Sequence, residues 1–294
     1  MRRVLYALLT MAASSATCKL LQGQNVVVTG GGRGIGKAIA LLCAQEGARV
    51  AIISRSEPEL CRVIAESRAE GAALPMLMRT ADVTDETAVD VAISGLVTEM
   101  GGCDLLVNNA GGTTAKGPLH EQSVADFRKL LDLNVVSVMA VSSAVLRHAM
   151  LKAGRGHIIN VSSKAGKLGI ANSSPYVASK FAVEGLTATL AAELAAPATD
   201  GEAVAAAASI RVNSISPGMV NTRAFPKAAG RPGVRSAESI RDGLLFLHLG
   251  SHACTGRYLH VDEFDTAVQA GTPEAALKKI DEVPFSELRV ETIL

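Results

Sequence analysis

The stretch that decides the fold is Asn25–Gly36, NVVVTGGGRGIG, which passes from a strand through a glycine loop into a helix. Its first five residues are rich in β-branched side chains, which predicts a buried strand. The glycine loop, residues 30–36, follows directly, and a helix is predicted over 37–46. Glycines let the backbone approach a pyrophosphate, and a helix N-terminus stabilises its charge. The order strand, glycine loop, helix therefore predicts the phosphate-binding start of a dinucleotide fold.

The same glycines also fit a second kind of nucleotide site. Gly31–Lys37 matches the start of a nucleoside-triphosphate loop, Gly-x-x-x-x-Gly-Lys. That motif needs a Ser or Thr hydroxyl as the next residue, for Mg²⁺, and the chain has Ala38 there. The dinucleotide interpretation is therefore favoured.

Strands and helices alternate along the rest of the chain. Further strands are predicted over 49–54, 76–81, 104–107, 158–161, 210–215 and 257–261, and helices over 57–71, 88–100, 124–148, 176–194 and 236–249. This rhythm predicts a single doubly wound parallel sheet of Rossmann type with helices on both faces. Ligands of such sheets bind at the carboxyl ends of the strands, where Asp82, Asn108 and Ser163 fall.

The end of the second predicted strand bears on the choice between NAD and NADP. A site that prefers NAD usually has an acidic residue there, bonded to the ribose 2′-hydroxyl. The chain has Ser54 and Arg55 instead, and Arg33 lies in the glycine loop. No carboxylate at this strand end would repel a 2′-phosphate, and a guanidinium can bind one bidentately. We therefore predict NADP (NADPH) as the cofactor; the alternative is that both arginines are solvated surface residues.

A second stretch, HIINVSSKAGKLGIANSSPYVASK over residues 157–180, carries the predicted chemistry. Ser174-Pro175 is a typical helix start, which puts Tyr176 and Lys180 one turn apart on one helix face. A free tyrosine has a pKa of about 10, and a neighbouring ammonium lowers it. Tyr176 then becomes a candidate general acid for a developing alkoxide, or the base in reverse. The Ser163 hydroxyl, at the preceding strand end, could hold the carbonyl oxygen.

Together these residues resemble the short-chain dehydrogenase/reductase family in its core form, over residues 20–265. The chain is similar to the 3-oxoacyl carrier-protein reductases and carbonyl reductases of that family. A lone glycine motif would be weak, whereas chance does not explain seven motifs in family order. These motifs are Thr29-Gly30-x-x-x-Gly34-Ile35-Gly36, Asp82-Val83, Asn108-Asn109-Ala110-Gly111, Asn134, Ser163, Tyr176-x-x-x-Lys180 and Pro217-Gly218.

The resemblance implies a role for each matching residue. Tyr176 is expected to donate the proton, Lys180 to lower its pKa and bind the nicotinamide ribose, and Ser163 to position the carbonyl. Asn134 is expected to hold a water that links Lys180 to solvent. The expected cofactor-binding residues are Gly30, Gly32, Arg33, Gly34, Ile35, Gly36, Ser54, Arg55, Asp82, Val83, Asn108, Ala110, Gly111, Tyr176, Lys180, Pro217, Gly218 and Thr222. Among them, Asp82 and Val83 are expected at the adenine, Asn108 at the adjoining ribose region and Thr222 at the nicotinamide amide.

The resemblance also implies an activity, the NADPH-dependent reduction of a ketone or aldehyde to an alcohol, or the reverse. One alternative is a 3-oxoacyl-(acyl-carrier-protein) reductase, which needs a basic patch beside the site; Arg147, Lys152 and Arg155 are candidates. Another is a non-catalytic dinucleotide sensor or scaffold on the same fold, against which the four intact catalytic positions argue. A homodimer or homotetramer is the expected assembly.

Composition argues against several other classes. The net charge of +1 leaves no broad basic surface for nucleic acid, and 3% aromatic residues without Trp argue against base-stacking platforms. Five scattered cysteines without Cys-x-x-Cys indicate reduced, intracellular thiols. Histidine spacing predicts no metal site. The expected partner is therefore a small carbonyl or alcohol substrate.

The two ends of the chain depart from the family core. Residues 1–19 are predicted to be a leader, either a targeting peptide or a disordered segment, whose apolar run Val4–Ala13 is too short to span a membrane. We expect a cytoplasmic protein, or one of the mitochondrion or plastid if 1–19 is a transit peptide. A surface insertion is predicted over 195–209, and 266–294 is a C-terminal extension, helical in part over 273–280. Glu263-Phe264 replaces the family's usual glycines at the end of the last strand.

Overall fold

The structure is a computed structural model that describes residues 19–195, 209–223, 231–250 and 254–279. Residues 1–18 of the predicted leader, all but the ends of the predicted insertion, and the chain beyond 279 lie outside the described residues. The four cysteines within the described residues are free thiols, three of them buried.

Ten strands and seven α-helices make up the described chain. In order they are β1 Asn25–Thr29, α1 Gly34–Gln45, β2 Arg49–Ser54, α2 Glu57–Ala69, β3 Leu77–Thr80, α3 Glu86–Met100, β4 Leu105–Asn108, α4 Val124–Ala153, β5 Arg155–Val161, α5 Ser174–Ala195, β6 Ser209–Ser216, β7 Met219–Val220, β8 Val234–Arg235, α6 Arg241–Leu249, β9 Arg257–His260, α7 Val261–Gln269 and β10 Leu277–Lys279. The strands and helices predicted over residues 25–261 are confirmed, with ends that differ by a few residues.

The main sheet has eight strands in the order β10-β9-β6-β5-β4-β1-β2-β3. All neighbouring pairs are parallel except β10 with β9. The chain first builds β1, β2 and β3 outward, then returns to the other side of β1 with β4. A crevice forms where the strand order reverses, between β1 and β4, so the carboxyl ends of these strands mark the expected ligand site.

Two hydrophobic clusters cover the two faces of the sheet. Side chains of α1, α2 and α6 pack on one face, and side chains of α3, α4 and the end of α5 pack on the other. This arrangement confirms the predicted doubly wound sheet. Among the described helices only α4 is long and apolar enough to cross a membrane by length and composition, and half of its most apolar window is buried inside the protein.

The C-terminal part of the described chain differs from the prediction. The last parallel strand ends at His260, and α7 begins at Val261, so Glu263 and Phe264, which stand where the family pattern has glycines, lie inside this helix. Phe264 is buried, with its ring centroid 5.0 Å from that of Phe246. A 3₁₀ turn over Pro273–Ala276 replaces the predicted helix, and β10 then adds an antiparallel strand at the sheet edge. Three residues, Leu-Lys-Lys, carry too little periodicity for sequence analysis to identify this strand.

Candidate active site

An open cleft of about 980 Å³ lies at the carboxyl ends of the parallel strands. Most of the predicted site residues line it, on seven separate segments of the chain. They are Gly30, Gly32, Arg33, Gly34, Ile35, Ser54, Arg55, Asp82, Val83, Ala110, Gly111, Ser163, Tyr176, Lys180, Pro217, Gly218 and Thr222. Three predicted residues, Gly36, Asn108 and Asn134, lie behind its walls.

The glycine loop is shaped to hold an anion. Arg33 is the N-cap residue of α1, and its side chain makes no capping hydrogen bond, so the first N–H groups of this helix face the loop without a side-chain acceptor. Gly36 acts through packing: a Cβ there would lie 2.3 Å from the Gly30 carbonyl oxygen and 2.4 Å from Asn109 Nδ2. The loop therefore fits the pyrophosphate of a dinucleotide on its own geometry.

Asn109 is a positioning residue that sequence analysis missed, and Asn108 lies elsewhere than predicted. Asn108 is buried and donates from Nδ2 to Ser142 Oγ and Asn160 Oδ1, both at 2.9 Å, so it braces the floor of the cleft. Asn109 faces the cleft and donates from Nδ2 to the Thr29 carbonyl at 3.0 Å. Successive residues at a strand end point to opposite faces, so the neighbouring asparagines take different roles.

The predicted 2′-phosphate region holds more carboxylate than the sequence indicated. The Arg55 side chain is 69% exposed and lies 3.5 Å from Asp82 Oδ2. Arg33 lies 3.5 Å and Arg223 3.4 Å from the same oxygen of Glu59, in the first turn of α2. The prediction that no carboxylate stands near this position is therefore wrong in part, because Glu59 reaches it from one helical turn beyond the strand end. Two guanidinium groups offset its charge.

The reacting end of the cleft joins β5 and α5. Tyr176 and Lys180 lie on the same face of α5, with the Lys180 Nζ 5.9 Å from the centre of the Tyr176 ring. The Ser163 and Tyr176 hydroxyls are hydrogen-bonded to each other. Lys180 Nζ donates to the Val161 carbonyl at 2.9 Å, two residues before Ser163. The structure thus brings together the three residues that the sequence placed in the chemistry.

Burial sets the protonation of this pair. It raises the pKa of Tyr176, and the Ser163 hydrogen bond opposes that rise. Burial lowers the pKa of Lys180 to about 8, and the charge of Glu184 opposes that fall. The expected lowering of the Tyr176 pKa by Lys180 is absent, because desolvation dominates. Both groups therefore stay protonated near pH 7, and the pKa of the Lys180 ammonium is only about one unit above that pH.

Asn134 lies beneath the site in a π-helical turn, Asp132–Val136, within α4. It is buried, accepts from Gly112 N at 2.8 Å, and donates to the Gly112 carbonyl and to Ser179 Oγ, both at 3.0 Å. The amide therefore ties the loop after β4 to α5. A π turn interrupts the helical hydrogen bonds, often at functional sites. The predicted water link through Asn134 stays a prediction.

The fold and the cleft define a class of protein. An anion-binding glycine loop at the switch point of a parallel sheet, joined to a serine and a tyrosine that line the cleft and to a buried lysine, is the site of a dinucleotide-dependent oxidoreductase. Within the described residues, no group of three or more His, Cys, Asp or Glu side chains could hold a metal ion.

Comparison with known proteins agrees with this class. The short chain dehydrogenase family matches residues 24–231. The chain is 38% identical to a cis-4-hydroxycyclohexanecarboxylate dehydrogenase of Sinomonas cyclohexanicum, covering 73% of this chain and 80% of that protein. It is 34% identical to the 3-oxoacyl-(acyl-carrier-protein) reductase FabG of Vibrio cholerae, covering 69% and 75%. A metagenomic short-chain oxidoreductase solved with NADP superposes with a TM-score of 0.68, at 31% identity, over 82% of this chain and 97% of that one.

The protein therefore belongs to the short-chain dehydrogenase family, as its motifs predicted. It is an oxidoreductase with a nicotinamide dinucleotide site.

Proposed function

We propose that the protein is an NADPH-dependent reductase that converts a ketone or aldehyde to an alcohol and catalyses the reverse oxidation. The observation that carries the proposal is the hydrogen-bonded pair of Ser163 and Tyr176 facing the cleft, with the buried Lys180 one turn away. When bound, the dinucleotide supplies the hydride.

The side chains at the reacting end of the cleft bind the carbonyl oxygen, supply the proton and stabilise the charge that develops. A carbonyl oxygen placed between the Ser163 and Tyr176 hydroxyls accepts a hydrogen bond from each. As negative charge develops on that oxygen, Tyr176 transfers its phenolic proton to it and becomes a phenolate. The nearby Lys180 ammonium stabilises the phenolate, so its charge has most effect in the transition state. In the oxidation direction the phenolate takes the hydroxyl proton back.

The choice of NADPH rests on the charges at the other end of the cleft. Arg33, Arg55 and Arg223 line it together with Ser54, and guanidinium groups suit a 2′-phosphate. Glu59 and Asp82 compete for these arginines, so the preference over NADH is expected to be modest. The NADP complex of the metagenomic relative supports this choice.

Spectrophotometric oxidation of NADPH and NADH at 340 nm, with ketones, aldehydes and acetoacetyl thioesters, tests the proposal. We expect turnover with NADPH and a loss of at least about 10³-fold in kcat for Tyr176→Phe. Cofactor affinity should change little in this variant, since the phenyl ring keeps the shape. Faster turnover with NADH would overturn the cofactor choice, and full activity in Tyr176→Phe would overturn the mechanism. Tight cofactor binding without turnover of any carbonyl would favour the sensor alternative.

A second candidate function is the reduction of acyl groups on a carrier protein, which is the activity that the name of the Vibrio cholerae relative gives for that protein. The patch predicted for such a carrier is misplaced. Arg155 begins β5, at the opposite end of the strand from Ser163, and Arg147 and Arg155 are paired with Asp90 and Asp104. These arginines and Lys152 therefore do not adjoin the site.

Other basic side chains line the mouth of the cleft, where a carrier protein would have to bind. Lys116, Lys164 and Arg231 line it from three separate loops, and no ion pair engages them within the described residues. We expect carrier-linked substrates, if they are used, to lose activity steeply between low and high salt, because the attraction is exposed. Free ketones should show no such loss. Equal salt dependence for both would remove the carrier candidate.

We also propose a homo-oligomer. Val136 and Met139 on α4 expose 51% and 64% of their area to solvent, one turn apart on one helix face. Multi-angle light scattering of the purified chain tests this, and a monomer at micromolar concentration would overturn it.

A further inference from the structure

A buried carboxylate lies directly behind the reacting residues, and the mechanism above assigns it no role. Glu184 follows Lys180 by one turn and Tyr176 by two turns on the same face of α5. Its side chain is only 4% exposed. A buried carboxylate costs folding free energy unless charged or hydrogen-bonding partners compensate it, so its contacts indicate what it does.

Those contacts join three parts of the fold. Glu184 Oε2 accepts from Ser214 Oγ on β6 at 2.9 Å and lies 3.3 Å from Lys167 Nζ. Lys167 ends the short turn that begins at Ser163, and its Nζ lies 5.0 Å from the centre of the Tyr258 ring on β9. Glu184 therefore connects the helix of Tyr176 and Lys180 to the turn that presents Ser163 and to the sheet.

The turn itself is pressed against α5 at this point. Gly166 N donates to the Ser163 carbonyl at 2.9 Å, which closes the turn. A Cβ on Gly166 would lie 2.9 Å from both Glu184 Cγ and the Lys180 carbonyl oxygen. The distance between Ser163 and Tyr176 therefore depends on how this turn seats against Glu184.

The charge of Glu184 also reaches the catalytic lysine. Burial lowers the pKa of Lys180, and Glu184 is the charged group that raises it. Three other titratable groups lie near Lys180 and Glu184: Tyr176 beside Lys180, and Lys167 and Tyr258 on the far side of Glu184. Burial raises the pKa of Tyr258 so far that this phenol stays neutral. Glu184 Oε1 has no hydrogen-bond partner within the described residues, so its negative charge is only partly compensated.

We propose that Glu184 is a positioning residue of this active site: its carboxylate holds the Ser163 turn against α5 through Lys167 and places a buried negative charge one helical turn from Lys180. This inference rests on the proposed reductase function for its kinetic test. It also predicts a titration that does not depend on turnover.

Two variants with opposite electrostatic effects test the charge. Glu184→Gln keeps the shape and an acceptor for Ser214 but removes the negative charge, so Lys180 loses its proton at lower pH. Lys167→Met removes the positive partner and leaves Glu184 uncompensated, so Lys180 holds its proton to higher pH. The alkaline limb of the kcat profile should therefore move down by about one pH unit in the first variant and up in the second. Ser214→Ala is the matched control; it removes the hydrogen bond without a charge, and its limb should stay in place.

NMR titration of the Lys180 Cε resonance, assigned with Lys180→Arg, follows the same shifts without substrate. Circular dichroism confirms that each variant is folded at the assay temperature. A merely structural role predicts lower kcat and Tm with unmoved limbs, and that outcome, or shifts of the same sign in both charge variants, overturns the proposal. If Glu184→Gln does not fold, an unmoved Lys180 titration in Lys167→Met overturns it alone. Absent turnover in the wild type, with opposite NMR shifts in the two variants, would refute the reductase function and support the role of Glu184.

Discussion

The amino and carboxyl ends of the parallel strands form two opposite sides of the central sheet, called here the amino edge and the carboxyl edge. These two sides bury polar side chains in different ways. From the amino ends to the middle of β5 and β6, His157, Arg211 and Asn213 join His248 and Gln24 in a network that leaves no buried side-chain polar atom of theirs without a partner. At the carboxyl ends, polar atoms of Asn108, Ser162, Glu184 and His260 are buried without a partner within the described residues. Complete pairing stabilises a fold, whereas incomplete pairing leaves a site able to respond to a ligand. Changes at the first edge should therefore affect stability, and changes at the second should affect catalysis.

The network at the amino edge has a defined proton order. Asn213 Oδ1 accepts from Arg257 N at 2.8 Å, so its Nδ2 must donate to His157 Nε2 at 2.9 Å. His157 then donates from Nδ1 to His248 Nδ1 at 3.1 Å, and His248 donates from Nε2 to Gln24 Oε1 at 2.6 Å. Each ring acts once as donor and once as acceptor, so both histidines are neutral. A proton added to either ring would place two donors face to face.

The largest expected effect lies at the carboxyl edge, in Lys180→Met. Loss of the ammonium removes the charge that stabilises the Tyr176 phenolate, so kcat should fall about 10³-fold, or about 4 kcal/mol of transition-state stabilisation. Stability should change far less, because the variant no longer buries a charge. Steady-state kinetics and thermal denaturation measure the two effects. A large loss of Tm with an unchanged kcat would show that this edge serves stability and not catalysis.

The converse change is Arg211→Met at the amino edge. The buried guanidinium donates to the carbonyls of Leu247, His248 and Gly250 at 3.3, 2.5 and 3.4 Å, which satisfies the C-terminal end of α6. Its loss should lower the free energy of unfolding by about 3 kcal/mol and leave kcat unchanged in the folded fraction. Urea denaturation measures this, with Arg257→Met, on the neighbouring strand, as the control. Equal destabilisation by both variants would show that charge loss alone, not helix capping, is responsible.

A fall in pH should lower the free energy of unfolding through the two histidines of the amino edge. Burial lowers the pKa of His248 from 6.5 to about 4 and also holds that of His157 well below its usual value. The unfolded chain binds these protons more readily, so stability is fully present above pH 6.5 and is lost as the pH falls towards 4. His248 alone should account for about 2 kcal/mol by pH 5. Unfolding free energies at pH 8 and pH 5 should differ less in His248→Gln than in the wild type, and identical pH dependence would contradict the proton order.

Sequence analysis identified residues whose role depends on local order along the chain. The glycine loop, Ser163, Tyr176 and Lys180 could be placed because a strand end or a single helical turn fixes their position. Asn108 was misassigned because one residue of strand register decides which face it takes.

Contacts between segments far apart in the chain could not be predicted from the sequence. His157 and His248 are 91 residues apart, and neither shows a pattern that predicts the other. Glu184 could have been noticed, since it continues the spacing of Tyr176 and Lys180, but its contact with Lys167 required the fold. Arg147 and Arg155 were linked to the site although the start of β5 lies at the far end of the sheet from Ser163, and strand direction alone could have excluded them.

The smallest expected effect is at the outer end of the cleft, in Glu59→Gln. Glu59 engages Arg33 and Arg223, the arginines expected to face a 2′-phosphate, and these side chains are 48% and 76% exposed. Without the carboxylate both guanidinium groups become available to the phosphate, while NADH gains nothing from them. The ratio of kcat/KM for NADPH to that for NADH should therefore rise about fivefold, or about 1 kcal/mol, and the gain should shrink at high salt because water and ions screen exposed pairs. Glu57→Gln, an exposed change in the same helical turn, is the control and should leave the ratio unchanged. A ratio that falls in Glu59→Gln would mean that Glu59 orients the arginines for the phosphate, so that even this exposed end depends on fixed pairing as the amino edge does.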